Sequence, residues 1–199
     1  MAVIIHGTTG IQGASWTTSG RPASPVSGQQ GYNSTLKALE VYINASWRIM
    51  AQQFTATGGT ITTSGAYTIH TFTSDGTFTP NSAGTVDYLV VGGGGAGGGS
   101  YRGGGGGAGA FRTAADFEVT SGAITITVGA GGTGVQYQNG NTGASSVFST
   151  ITALGGGGGG KYNTVAPSGS YGSGGGTGGG NTSAGATSGT YGNDGGNGT

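Results

Sequence analysis

The sequence predicts a mainly β and irregular protein: a small N-terminal β-hairpin module followed by a glycine-rich domain of stacked polyglycine-II-like helices with short strands. Three observations carry that expectation. Of 51 glycines, 11 precede Val91 and 40 follow it, in runs such as 92–95, 103–107 and 155–160. Those runs are interrupted by strong β signals, Thr85-Val-Asp-Tyr-Leu-Val-Val91 and Ala123-Ile-Thr-Ile-Thr-Val128, which a floppy linker would not need. Finally, four prolines and the lack of a sustained Gly-X-Y register exclude collagen. What remains is extended three-residue helices, which form no internal hydrogen bonds and must bond laterally at contacts where only glycine fits.

The composition break divides the chain into an N-terminal arm over 1–20, a small β module over 21–69 and the glycine-rich domain over 70–199. In the arm, Val3-Ile-Ile-His6 reads as a short strand, followed by small polar residues and the single aromatic Trp16. Ile4, Ile5 and Trp16 are candidates for docking onto another protein, and a frayed terminus is the other reading. Pro22, Pro25 and Gly28 mark a turn-rich stretch, and Gly31-Tyr-Asn-Ser-Thr35 a strand entering a turn. Residues 38–43 and 46–50 flank Asn44-Ala45 as an antiparallel hairpin, apolar on one face, with Glu40 free to meet Arg48 across the strands at the surface.

Six basic and six acidic side chains give no net charge, so nothing in the balance attracts nucleic acid or an acidic membrane. The absence of cysteine excludes disulfides and thiolate metal sites. The first residues lack the basic flank and apolar stretch of a signal peptide, and no apolar run approaches the about 18 residues of a membrane span. Hence no nucleic-acid partner and no membrane insertion are expected.

The series Arg21-Pro22, Pro25, Gly28, Gly31-Tyr-Asn33, Leu39-Glu-Val-Tyr42 and Trp47 resembles a small β module of bacteriophage tail-fibre and other virion proteins. Farther on, Phe72-Thr-Ser-Asp-Gly-Thr-Phe-Thr-Pro80, Val86-Asp-Tyr-Leu-Val-Val-Gly92, Gly103–Gly109, Ile126-Thr-Val-Gly-Ala-Gly-Gly132 and Asn139–Phe148 resemble a phage glycine-rich domain. The resemblance spans about 70–160 and implies a tail-fibre or adhesin-type protein in which loops joining polyglycine II helices touch the bacterial surface. It also implies a homotrimer, other virion proteins of the tail or baseplate as partners, and a bacterial surface glycan or outer-membrane protein as receptor. The place of action would be the virion, after synthesis in the host cytoplasm. Related domains close on a final apolar strand, whereas this sequence ends in Tyr191-Gly-Asn-Asp-Gly-Gly-Asn-Gly-Thr199.

No enzyme, cofactor or metal is expected from the motifs. Gly155-x-x-x-x-Gly160-Lys161 imitates a phosphate-binding loop, but Tyr162 replaces the hydroxyl residue and no helix can follow. The two histidines, His6 and His70, are far apart in sequence, and Asp116 and Glu118 would share one solvated strand face. The glycine-rich part instead offers aromatic and polar side chains in turns. Tyr101, Arg102, Tyr137, Gln138, Tyr162, Asn163, Tyr171 and Tyr191 are the receptor-binding candidates, because tyrosine presents a rigid amphipathic surface at low entropic cost. The same tyrosines could instead cover the flanks of a stack that has little other apolar material. A tail fibre or receptor-binding adhesin is therefore the expected function, with a virion decoration or connector protein, its glycine domain a rigid spacer, as the alternative. Tight packing of the runs also predicts that Gly105→Val wrecks the stack and Gly198→Val is nearly silent.

Overall fold

The computed structural model describes residues 4–6 and 10–198. The chain divides into two compact units, Met1–Thr55 and Ala56–Thr199. The described residues are mainly β, in several small sheets, with no helix assigned. The expected polyglycine-II helices are not among the assigned elements. The glycine runs lie between strands as segments without regular assignment.

In the first unit, β1 (Ile4–His6) pairs antiparallel with β2 (Gly10–Gln12). Val3 lies outside the described residues. A four-stranded sheet runs in the order β3 (Ser15–Trp16), β4 (Gln30–Asn33), β5 (Ala38–Ile43) and β6 (Ser46–Gln52). The predicted hairpin forms with Asn44 and Ala45 at φ 51° and 58°, the two left-handed residues that a type I′ turn demands. Gly31 is required by close approach, since a Cβ there would lie 2.1 Å from the Trp16 ring.

The expected surface pair of Glu40 and Arg48 does not form. The two-residue turn itself sets Val41 opposite Arg48 and Glu40 opposite Ile49, and the register shifts only beyond Glu40, where Leu39 faces Ala51. Glu40 points inward, 1% exposed, while Leu39, Ile49 and Met50 face out. Its carboxylate pairs with Arg21, which donates from Nη2 to Oε1 and from Nε to Oε2 (3.1 Å for the latter). Trp16 Nε1 and Asn33 Nδ2 also donate to Oε2, at 3.2 and 3.0 Å. Hydrogen bonding from Arg21 is the chief reason the Glu40 pKa falls to about 2, against the opposing effect of burial. The centre of this module is thus an ion pair with its partners satisfied, where the pattern suggested apolar packing.

The second unit holds β7 (Ala56–Thr57), the hairpin β8 (Thr60–Ser64) and β9 (Tyr67–Thr71), then β10 (Gly76–Pro80), β11 (Gly84–Val91) and β12 (Phe111–Val119). It continues with β13 (Ile124–Thr127), β14 (Ser146–Phe148) and β15 (Ile151–Ala153). A five-stranded sheet has the order β15-β14-β13-β10-β7, and β11 and β12 form a two-stranded sheet. Alternation turns Val86, Tyr88 and Val90 inward, and Tyr88 meets Phe117 at 5.5 Å and Phe148 at 6.1 Å between ring centroids. Phe78 completes the aromatic cluster against Phe148, with His70 edge-on to Phe78 at 5.1 Å. A bulge at Asp116, with φ 56°, accepts the extra residue of β12, and its amide donates to Asp87 Oδ1 at 3.1 Å.

Three strand pairs run on into the glycine segments without losing register. Val91 pairs with Phe111, and beyond them Gly92, Gly95 and Gly98 donate to the carbonyls of Ala110, Gly107 and Gly104 at 2.8–2.9 Å. Past β13 and β14, Ala144 and Asn141 donate to Ala130 and Thr133. Past β14 and β15, Gly143 and Gly140 donate to Gly156 and Gly159. In each case the bonded positions recur every third residue, where a β ladder would use every second. The run 155–160 is buried throughout and bonds to four neighbouring segments: Gly156 N to Gly93 O, Gly107 N to Gly157 O, Gly143 N to Gly156 O and Gly157 N to Ser173 O.

This spacing reverses the expectation for two glycines. A Cβ at Gly105 would meet nothing within 4 Å, because that phase of the run faces outward. At Gly198 it would lie 2.2 Å from the carbonyl oxygen of Asn181. Phase within the triplet, and not distance from the end of the chain, decides which glycines are irreplaceable.

Candidate recognition tip

The long hairpins end far from the sheets in turns, and the turns converge. Residues 100–102 close the first hairpin, and Gly103 N donates to Ser100 O at 2.9 Å. Residues 134–138 close the second. Gly99 forms an isolated bridge with Gln136, accepts from Tyr137 N and donates to Gln138 O at 2.9 Å. A third turn follows the central run at 161–164, where Thr164 N donates to Lys161 O at 3.1 Å.

Cross-turn hydrogen bonds join these segments into one surface. Tyr162 N donates to Ser100 Oγ at 2.6 Å, and Lys161 N donates to Asn139 Oδ1 at 2.9 Å. Thr164 Oγ1 donates to the same Asn139 oxygen at 2.9 Å. Gly179 N reaches Arg102 O at 2.7 Å, and Asn163 N reaches Gly179 O at 2.9 Å. Each turn also holds one non-glycine residue in the left-handed region: Arg102, Tyr137 and Asn163, at φ 58–59°. Asn adopts such backbone readily, but for Arg102 and Tyr137 it is unfavourable and persists only where the surroundings fix it.

Six of the eight receptor-binding candidates therefore lie together. Tyr101, Tyr137 and Tyr162 are 80%, 71% and 48% exposed, and Arg102, Gln138 and Asn163 are exposed between them. The Arg102 guanidinium sits 5.4 Å from the Tyr101 ring centroid. The Tyr162 ring lies against Gly180, where a Cβ would come within 3.0 Å of it. The structure adds Val135, Gln136 and Lys161 to this surface. Gln136 and Lys161 are visible in sequence as polar neighbours of Tyr137 and Tyr162, whereas Val135 is revealed only by the convergence of the turns.

Tyr171 and Tyr191 are placed elsewhere. Tyr171 is half-buried, its ring over Gly157 and its hydroxyl donating to Ser168 O at 2.9 Å. Tyr191 stacks under Arg112, 4.4 Å from guanidinium to ring centroid, while Arg112 Nη1 donates to Thr152 O at 3.3 Å. Tyr171 thus covers part of the glycine array, whereas Tyr191 packs on Arg112 of β12 and stays 50% exposed. Trp16 is buried in the first unit, edge-on to Trp47 at 4.8 Å. Ile4 and Ile5 are in β1, and their side chains lie outside the described part of the structure.

The segment that imitates a phosphate-binding loop is closed to ligands. Gly155–Gly160 are buried, and the amides of Gly156, Gly157, Gly159 and Gly160 donate to Gly93, Ser173, Ala96 and Gly176 of neighbouring segments. No group of metal-ligating side chains occurs among the described residues. A cleft of about 360 Å³ between Gly105, Gly174, Thr177 and Gly196 contains no titratable side chain.

A small aromatic β core whose hairpins extend as laterally bonded glycine runs defines a glycine-rich β protein with a turn-built tip. Residues 71–199 match the family described as the glycine-rich domain, and the chain belongs to that family. Comparison with curated proteins and comparison with solved structures each gave no match.

Proposed function

We propose that this chain is a virion structural protein, a tail fibre or receptor-binding adhesin that attaches a phage to its host cell surface. The observation that carries the reading is the convergence of three tyrosine-bearing turns at one end of the glycine array, pinned to each other through Ser100, Asn139 and Gly179. Loops held on a rigid scaffold are the usual place for recognition, and rigid tyrosines give contact area with little loss of entropy. In this reading the glycine segments are polyglycine II helices. Lateral bonding at every third residue and the close backbone approach at Gly93, Gly95, Gly156 and Gly159 support that geometry.

Binding, not catalysis, would be the mode of action. Each tip contributes a few weak contacts, and copies on the virion multiply them. A homotrimer fits the same picture, because Leu89, Val91 and Phe111 form an exposed apolar strip across β11 and β12. The exposed Ile61, Tyr67 and Ile69 leave the β8–β9 hairpin equally uncovered, and an isolated two-stranded hairpin is marginal in water. The same strips favour the second reading, a decoration or connector protein held to other tail or baseplate components, with the array as spacer.

Labelled protein incubated with a panel of bacteria separates the two. Strain-specific binding that Tyr137→Ala or Tyr162→Ala abolishes is the result expected of an adhesin. A folded oligomer that binds no strain, yet is retained by purified tail components, would move the assignment to the connector.

A further inference from the structure

The charges of this chain are segregated, although they sum to zero. Arg102 and Lys161 belong to the tip, and none of the six acidic residues does. Glu40 is in the first unit, paired with Arg21. Asp87, Asp116 and Glu118 lie along β11 and β12, Asp75 caps Val128 N, and Asp194 accepts from Ser188 N. Among the described residues Arg102 and Lys161 have no ion-pair partner, and the Arg102 charge lies over the Tyr101 ring. Two unpaired cations on turns joined by the Tyr162 N to Ser100 Oγ bond, with no acidic residue on those turns, form a local positive field on a neutral molecule.

The rest of the tip has the chemistry of sugar binding. Tyr101, Tyr137 and Tyr162 offer flat faces with hydroxyls, and Gln136, Gln138 and Asn163 offer amide donors and acceptors. Val135, with Val165 just past the third turn, is the exposed aliphatic material here, little for the apolar centre of a protein interface. Tyr101, Tyr137 and Tyr162 are exposed side by side and not enclosed, so the surface suits an extended polymer lying across it better than a small enclosed ligand.

Resting on the reading of the tip as a recognition face, we propose that its ligand is an anionic saccharide: a surface polysaccharide bearing carboxylate or phosphate groups. Arg102 and Lys161 take the acidic groups, and the tyrosines stack on the sugar rings.

The test uses the full chain over immobilised polygalacturonate, phosphomannan and neutral dextran, at about 0.05 and 0.5 M salt. Retention on an acidic polymer, weaker at high salt, with none on dextran, is expected. Polygalacturonate alone would identify a uronic carboxylate as the ligand group, and phosphomannan alone a phosphate. The double variant Arg102→Gln/Lys161→Gln should lose at least about tenfold in affinity, and Arg102→Lys/Lys161→Arg should restore it. Equal retention on dextran, an unaffected double-glutamine variant, or preference for a single-stranded oligonucleotide over all three polymers would overturn the proposal. Cell binding lost in Tyr137→Ala but intact in the double-glutamine variant would overturn it while leaving the adhesin reading in place. No binding to cells or polymers would sink both.

Discussion

Replacing Gly159 with alanine tests whether the glycine array is a packed solid or a loose coil. A Cβ at that position would lie 2.1 Å from the carbonyl oxygen of Gly104, 2.7 Å from its carbon and 2.8 Å from the oxygen of Gly105. An ordinary carbon–oxygen contact is about 3.3 Å, so the two runs would have to part by about 1.2 Å. The bonds Gly104 N to Gly160 O and Gly107 N to Gly157 O, both 2.7 Å, would then stretch to about 3.9 Å, beyond hydrogen-bond range. Losing two such bonds at about 1 kcal/mol each, and stranding buried partners at a similar cost, amounts to about 4 kcal/mol. For a unit of this size that is a fall of about 12 °C in Tm. Gly105→Ala is the control, since its Cβ meets nothing within 4 Å and its φ is not left-handed. It should be neutral or stabilising by up to about 1 kcal/mol through the unfolded chain. Calorimetry of the two variants beside the parent decides the matter. Equal Tm values for Gly159→Ala and Gly105→Ala would refute the packing argument.

The first unit offers three further tests. The Glu40 pKa is depressed from 4.5 to about 2, so its stabilising contribution is complete above pH 4.5 and is lost as pH falls toward 2. Urea midpoints measured between those limits should drop for the parent and stay flatter for Glu40→Gln, which at neutral pH should cost about 3 kcal/mol by leaving Arg21 unpaired. Ala45→Gly should raise stability by about 1 kcal/mol, because φ 58° suits glycine, and an unchanged or lower midpoint would count against the turn geometry. Gly31→Ala should displace the Trp16 ring, read as a shift of tryptophan emission together with a loss of stability; an unmoved spectrum would contradict the contact.

Strands with a period-2 pattern were legible in sequence, including the 38–43 and 46–50 hairpin and the segments 85–91 and 123–128, which form strands over Gly84–Val91 and Ile124–Thr127. Their signal is local: alternation and turn chemistry need no knowledge of the partner. The Glu40 site was not legible, because alternation along β5 turns a charged side chain inward beside Ala38, and the partner that makes this tolerable, Arg21, stands 19 positions earlier. Residue type picked out the tyrosines, but sequence could not sort Tyr101, Tyr137 and Tyr162 from Tyr171 and Tyr191. Their grouping depends on where each run ends relative to the others. The glycines were hardest of all, since Gly105 and Gly198 differ in whether their missing side chain would strike a neighbour at all.

Register is the connection between core and tip. A glycine run has no side-chain pattern by which one alignment is better than another, and a slide of three residues restores the same lateral bonds. Left alone, such runs would sample many alignments of nearly equal energy. Here they do not start alone: each hairpin inherits its register from a strand pair, Val91 with Phe111, Thr127 with Val147 and Ser146 with Ala153. Those pairs have side chains to choose by, packed through Tyr88, Phe117 and Phe148. A slip of one triplet would move a turn by about 9 Å along the array. That distance would tear Tyr162 N from Ser100 Oγ and Lys161 N from Asn139, and the tyrosines would no longer share a surface. The aromatic cluster thus acts on the tip from the far end of the glycine segments, and the glycines transmit alignment because they are too closely packed to choose it for themselves.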